Sequence, residues 1–218
     1  SFGDLKVTLS CIRPDVEIRY TTDGSEPHEY SMLYRRPWVV KQSQTVKCAT
    51  FKEGKQVGQT LLVPIQVTGI TGHNVLRSNS VERRLVNGVR GSLKNTDGEW
   101  AFWKENDSIS VTFDVGSRKR LGCVSLGYLN DFGLGIHKPQ KVEVWLSDND
   151  VHYWKVSEKA FEQDEIFCEG RYVKDMEFKF EDIARYVRVI MKGAGKCPKQ
   201  HVRPELEAQV YLDEVLIE

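Results

Sequence analysis

EIRYTTDGSEPHEYSMLY, residues 17–34, decides the reading of this chain. Over 17–22 the side chains alternate, with Ile18, Tyr20 and Thr22 on one face and Glu17, Arg19 and Thr21 on the other. A period of two is that of a strand with one buried side. Asp23-Gly24 then turns the chain, because glycine takes positive φ without penalty and an aspartate side chain bonds nearby backbone. Pro27 lacks the N–H that would continue a ladder. The segment reads as the edge of a β-sandwich and not as the phosphate-binding loop of a cofactor enzyme.

Working outward, strand-like segments recur at 5–11, 38–40, 45–51, 61–67, 109–115, 122–128, 141–147, 175–180, 186–191 and 209–217. Turn residues separate them, and no helix-period segment of useful length alternates with them. That order predicts an all-β chain of antiparallel sandwiches. Thr68-Gly69-Ile70-Thr71-Gly72 follows a finished strand and is the natural boundary, giving modules at 1–68 and 69–218. In the second module Ile109, Val111, Phe113 and Val115 alternate with polar residues up to Gly116. Val142, Val144 and Leu146 repeat the pattern and run into the turn Ser147-Asp148-Asn149-Asp150.

The chain has 218 residues, enough for one large or two modest cores. Lys plus Arg and Asp plus Glu are both 31, so net charge gives no case for a nucleic-acid or anionic-membrane partner. No apolar run approaches the roughly 20 residues of a membrane helix. Opening at Ser1-Phe2-Gly3 without a methionine suggests a segment of something longer. Five cysteines at irregular spacing do not make a disulfide framework. Cys48 and Cys123 read as small buried hydrophobes, and Cys197 with His201 would be only half of a zinc site.

The stretch 17–37 also resembles the small C-terminal domain of bacterial chitobiases and β-hexosaminidases. Its signature, I-x-Y-T-x-D-G-S-x-P followed by a Tyr and a Pro, is matched by Ile18, Tyr20, Thr21, Asp23, Gly24, Ser25, Pro27, Tyr34 and Pro37. The remainder resembles the discoidin-like (factor V/VIII type C, galactose-binding-like) β jelly roll. The marks are Leu85-Val86-Asn87-Gly88, Val111-x-Phe113-Asp114-Val115-Gly116, Pro139-x-x-Val142-x-Val144-x-x-Ser147-x-Asn149, Arg185-Tyr186-Val187-Arg188-Val189 and Asp213-Glu214-Val215. Gly195-Lys196-Cys197-Pro198-x-x-His201 before Asp213-Glu214-Val215 is similar to the tail of family 20 β-N-acetylhexosaminidases. Together these resemblances imply an immunoglobulin- or fibronectin-like sandwich followed by a discoidin-like jelly roll. They imply a non-catalytic accessory region of an exported chitobiase, located in the periplasm, on the cell surface or outside the cell. Its partners would be hexosamine- or galactose-type glycans and the parent catalytic domain. The alternatives are a purely structural tail packed on a catalytic barrel, or a protein or lipid adhesion module.

Family 20 enzymes use an adjacent Asp-Glu pair, but Asp213-Glu214 sits on a final strand with no (β/α)₈ barrel around it, so catalysis is rejected. In discoidin-like relatives this terminal acid often ligates a structural calcium. The matching positions are Asn87, Arg90 through its carbonyl, Ser92 and Glu214, against the alternative of a turn held by hydrogen bonds alone. Calcium favours several carboxylates, and Asn87 stands where an Asp is commoner. Sugar recognition needs an aromatic face and fixed polar groups. Loop 98–103 offers Trp100, Phe102 and Trp103, although any one of them could pack inward. Loop 130–137, placed where relatives contact ligand, offers Asn130, Asp131 and His137. Loop 196–207 is a third wall with Lys199, Gln200, His201 and Arg203. Relatives carry aromatics near 200 and 209, where this chain has Gln200 and Gln209, which implies a weaker, more polar site. Tyr20, Tyr34 and Trp38 read as packing, making the first module a rigid spacer.

Overall fold

Alternating side chains build two separate sets of antiparallel ladders. A computed structural model of the protein describes residues 5–67, 75–76, 83–104 and 108–218. The boundary expected at 68–72 lies outside the described residues. In the first set β1 (Lys6–Val7) pairs with β4 (Trp38–Val39). Beside them, β3 (Met32–Leu33), β2 (Glu17–Thr21), β5 (Gln44–Lys52) and β6 (Lys55–Gln56) follow in that spatial order, with β7 (Leu61–Ile65) also on β5. Val40, Val46 and Ile65 are buried between the sheets, with Leu5, Val7 and Trp38 packed on them. Tyr20 stacks on Trp38 at 4.4 Å between ring centroids, and Tyr34 meets the same indole edge-on at 6.2 Å. The Asp23-Gly24 turn forms as expected: Asp23 Oδ1 accepts from the Ser25 N–H at 3.0 Å, and Gly24 sits at φ +82°.

The second set is one seven-stranded sheet. It contains β8 (Val75–Leu76), β9 (Ala101–Trp103), β10 (Ser108–Asp131), β11 (Lys141–Ser147), β12 (Trp154–Ala160), β13 (Arg171–Lys192) and β14 (Val210–Ile217). A single helical turn, α1 (Gln163–Ile166), lies between β12 and β13. The 24-residue β10 and 22-residue β13 pair along nearly their whole length and contribute to both layers of the jelly roll. Their first-layer halves join β8, β11 and β12; their second-layer halves join β14 and β9.

Where the sequence suggested a strand at 109–115 ended by Gly116 and another at 122–128, there is one continuous strand with irregularities between Asp114 and Lys119 and between Leu121 and Cys123. These shifts change which parity faces inward. Ile109, Val111, Phe113, Val115 and Leu121 are buried before the second shift, and Val124, Leu126 and Tyr128 after it. The core runs in rows across strands: Val111 opposes Val189, which opposes Val144, and Phe113 opposes Val187, which opposes Leu146. All six side chains are buried in one cluster. Each such side chain contributes ~1.5–3 kcal/mol by leaving water. The two sets of ladders meet in an isolated bridge between Ile65 and Val89, beside a Gln66 N–H to Gly88 carbonyl bond of 2.8 Å.

Candidate functional site

At one end of the jelly roll, three connections converge: the β10–β11 loop, the β12–β13 loop carrying α1, and the long β13–β14 loop. They enclose a cleft of about 450 Å³ lined by Phe132, Gln163, Asp164, Phe167, Glu169, Pro198 and Gln200. That volume lies within the ~300–1,000 Å³ of ordinary small-molecule sites. Phe132 and Phe167 are half-buried. Asp164, Glu169, Gln163 and Gln200 are exposed.

Backbone bonding holds the three walls in register. Asp131 and Ile136 exchange backbone bonds of 2.9 and 3.0 Å across the turn that carries Phe132. Gly135 closes this turn at φ +70°, and a β-carbon there would meet Cys197 Sγ at 2.9 Å. The Gln209 N–H donates to the Gly135 carbonyl, and the His137 N–H to the Gln209 carbonyl. Asn130 Nδ2 donates to the Cys168 and Gly170 carbonyls at 3.0 Å each, which fixes the wall carrying Phe167 and Glu169.

Beneath the cleft lie two histidines. The His137 ring is fully buried, edge-on to Phe132 at 5.8 Å and to Phe167 at 5.0 Å. His201 is edge-on to Phe132 at 5.4 Å. Its Nδ1 accepts the Arg203 N–H at 3.0 Å, which leaves Nε2 as the protonated nitrogen of the neutral ring. That Nε2 is buried without a hydrogen-bond partner among the described residues, as is Asn130 Oδ1.

Burial, and secondarily the neighbouring His201, pushes the His137 imidazole down to about 4. The unfolded chain therefore takes up this proton at a higher pH than the folded one does. The contribution of this one ring to stability is expected to fall by up to about 3 kcal/mol as pH drops from about 6.5 to about 4. Urea melts of wild type and His137→Phe between pH 4 and 7 test it. The variant should lose most of that slope.

The residues expected to contact sugar fare differently. Trp100 is only 2% exposed and packs with Leu129, Ile136 and Tyr211. Trp103 lies in the main core. The expected aromatic loop is in part β9, and its alternation turns Ala101 and Trp103 inward and Phe102 outward. Phe102, 42% exposed, stacks on Tyr211 at 5.1 Å. Asn130, Asp131, His137 and His201 are buried and act as supports: Asp131 pairs with Arg171 and accepts the Leu134 N–H. None of these four presents open surface to a ligand. Gln200 does line the cleft, while α1 and its flanking Phe167 and Glu169 were not singled out by sequence. The one signal was two phenylalanines bracketing an acidic, polar run at 161–167.

The expected calcium positions form a different arrangement. Asn87 bridges Glu99 at 2.7 Å and the Val89 N–H at 2.8 Å. The Ser92 hydroxyl donates to Asp97 Oδ2 at 2.6 Å. Arg90 Nε donates to Asp213 Oδ2 at 2.8 Å, and Arg90 Nη2 to Asp175 Oδ1 at 2.6 Å. Glu214 Oε2 accepts the Gly88 N–H at 2.9 Å, and only its Oε1 is buried without a partner. Burial pushes that carboxyl up to about 9. Calcium takes six to eight oxygens, usually with several carboxylates. One free carboxylate oxygen beside a guanidinium does not fit it. Among the described residues no group of three or more His, Cys, Asp and Glu could hold a metal ion. Asp213 and Glu214 are both fully buried, so neither can touch a substrate. All five cysteines are free, Cys48 and Cys197 buried and Cys123 half-buried. Among the described residues no helix is long and apolar enough to cross a membrane.

Comparison with known proteins bears on the first module. No curated protein matches the chain. Among solved structures, chitosan-binding module 1 of a Paenibacillus sp. IK-5 chitosanase/glucanase is 14% identical, with TM-score 0.45, covering 70% of this chain and 99% of that one. Chitosan-binding module 2 of the same enzyme, in complex with chitotriose, is 12% identical, with TM-score 0.43, covering 69% and 98%. The C-terminal domain of a Bacteroides fragilis chitobiase is 13% identical, with TM-score 0.37, covering 64% and 81%. Likeness at this level says nothing of what the present chain binds. The family model of the chitobiase/beta-hexosaminidase C-terminal domain matches residues 2–61, the stretch that contains the Asp23-Gly24 turn and the stacked Tyr20 and Trp38. Over residues 2–61 the opening module is thus similar to a chitobiase/β-hexosaminidase C-terminal domain.

Proposed function

We propose that the chain is a non-catalytic accessory region that binds carbohydrate in the cleft at the end of the jelly roll. The supporting observation is the pair of half-buried rings, Phe132 and Phe167, in a cleft otherwise lined by carboxylates, amides and Pro198. An aromatic face takes the apolar side of a pyranose while fixed polar groups meet its hydroxyls. The partners would be hexosamine- or galactose-type glycans and a catalytic glycoside hydrolase domain outside this sequence, in an exported protein. Binding would then raise the local concentration of substrate near that domain without taking part in its chemistry.

Calorimetric titration with a panel of hexosamine and galactose oligosaccharides tests the reading. Saturable binding is expected, and Phe132→Ala or Phe167→Ala should each weaken it about tenfold, the ~1–1.5 kcal/mol worth of a lost aromatic contact. Absence of binding across the panel would overturn it. A structural tail is the second reading, favoured by Tyr30, Met32, Leu61 and Leu62, which the first module exposes. These side chains offer apolar area to a catalytic barrel.

A further inference from the structure

The lining of the cleft carries charge of one sign. Asp164 and Glu169 are acidic, and none of the other lining residues is basic. Three nearby acids are matched: Asp131 pairs with Arg171, Glu165 with Lys138 and Glu205 with Lys196. Asp164 and Glu169 are in no ion pair among the described residues. Asp164 spends Oδ1 on the Glu165 N–H at 2.9 Å, which leaves Oδ2 for a ligand. Burying two carboxylates under a neutral sugar would strip water from both with no compensating charge. An ammonium group compensates for that loss with a charge-assisted hydrogen bond.

We propose that the cleft selects an amino sugar with a free, protonated amine, a 2-amino-2-deoxyhexose oligomer, over its N-acetylated counterpart. The proposal rests on reading the cleft as a glycan site and adds which glycans it prefers. Phe132 and Phe167 supply the surface for the apolar face of the ring, as they would for either sugar. The two carboxylates discriminate, because acetylation removes the positive charge that would pair with them. The Gln163 and Gln200 amides can serve the hydroxyls in both cases.

The test is calorimetric titration of the whole chain with the trimer of glucosamine and the trimer of N-acetylglucosamine at pH 5.5, in low and in high salt. The amine trimer is expected to bind about tenfold tighter in low salt, with the preference shrinking in high salt as ion pairing is screened. Asp164→Asn together with Glu169→Gln should bring the ratio of the two affinities close to one. Equal binding of the two trimers, or a preference that survives the double substitution, overturns the proposal while leaving the glycan reading intact. If neither trimer binds but a galactose-type sugar does, the proposal alone falls. If nothing binds, the glycan site falls with it.

Discussion

Replacing Trp100 with alanine is expected to cost about 3–5 kcal/mol of stability, the range for deleting a fully buried indole. The ring fills a satellite cluster with Leu129, Ile136 and Tyr211, and its Nε1 donates to the Ser92 and Lys94 carbonyls at 3.2 Å. Removing it opens a cavity and releases the turn that carries those carbonyls. Gly91 is part of the same fit, since a β-carbon there would lie 2.3 Å from the indole. For a module of this size the melting temperature should drop by roughly 10 °C. Denaturant melts of Trp100→Ala beside Phe132→Ala separate support from contact. The first should lose stability heavily, and the second should lose sugar affinity with a much smaller stability change. If Trp100→Ala unfolds like wild type and only binding is lost, the indole is not where the structure places it.

Asp213→Leu is expected to be as damaging, by about 3–5 kcal/mol, because it leaves Arg90 Nε and the Gly91 and Glu214 N–H groups without their acceptor. Asp213 is fully buried. It accepts from Arg90 Nε and the Gly91 N–H at 2.8 Å, and from the Glu214 N–H at 2.6 Å. Burial raises this carboxyl, against the pull of Arg90 and the two backbone donors. Gly127 lies against the pair: a β-carbon there would sit 1.9 Å from Asp213 Oδ1. In a double-mutant cycle, Arg90→Leu with Asp213→Leu should recover much of the loss suffered by Asp213→Leu alone. Strictly additive losses would show that the two side chains do not stabilise the fold through each other.

Much of this architecture was legible because burial on one face writes a period of two into the sequence. β2, β11 and the first part of β10 fall where alternation puts them. β12 carries no such pattern: its sequence, WKVSEKA, borders only β11 and is mostly exposed, so nothing forces apolar residues to recur. β9 was hidden for the opposite reason. Three aromatics around Ala101 suggest a sticky loop, but Ala101 and Trp103 point inward and only Phe102 stays out. The cleft was half legible. The loop bearing Phe132 and the wall bearing Gln200 were identified by position, but the wall with Asp164, Phe167 and Glu169 was not. Its α1 is held by local capping between Glu162 and Glu165, which leaves no long-range pattern to read. Asn130, His137 and His201 show why polar residues in a glycine-loosened loop mislead. They support the cleft from beneath, a role that composition does not distinguish from contact.

The ladder between β10 and β13, and that between β9 and β14, set the order in which this chain can form. Trp103 finds its strand partner in Val210, at the start of β14. Strands of the opening module find theirs within the first 65 residues. During synthesis the opening module can therefore complete itself while the jelly roll waits for β14 to leave the ribosome. Distant pairings of this kind are slow to close, and the exposed β9 and β10 edges are the part of the nascent chain most open to misassembly.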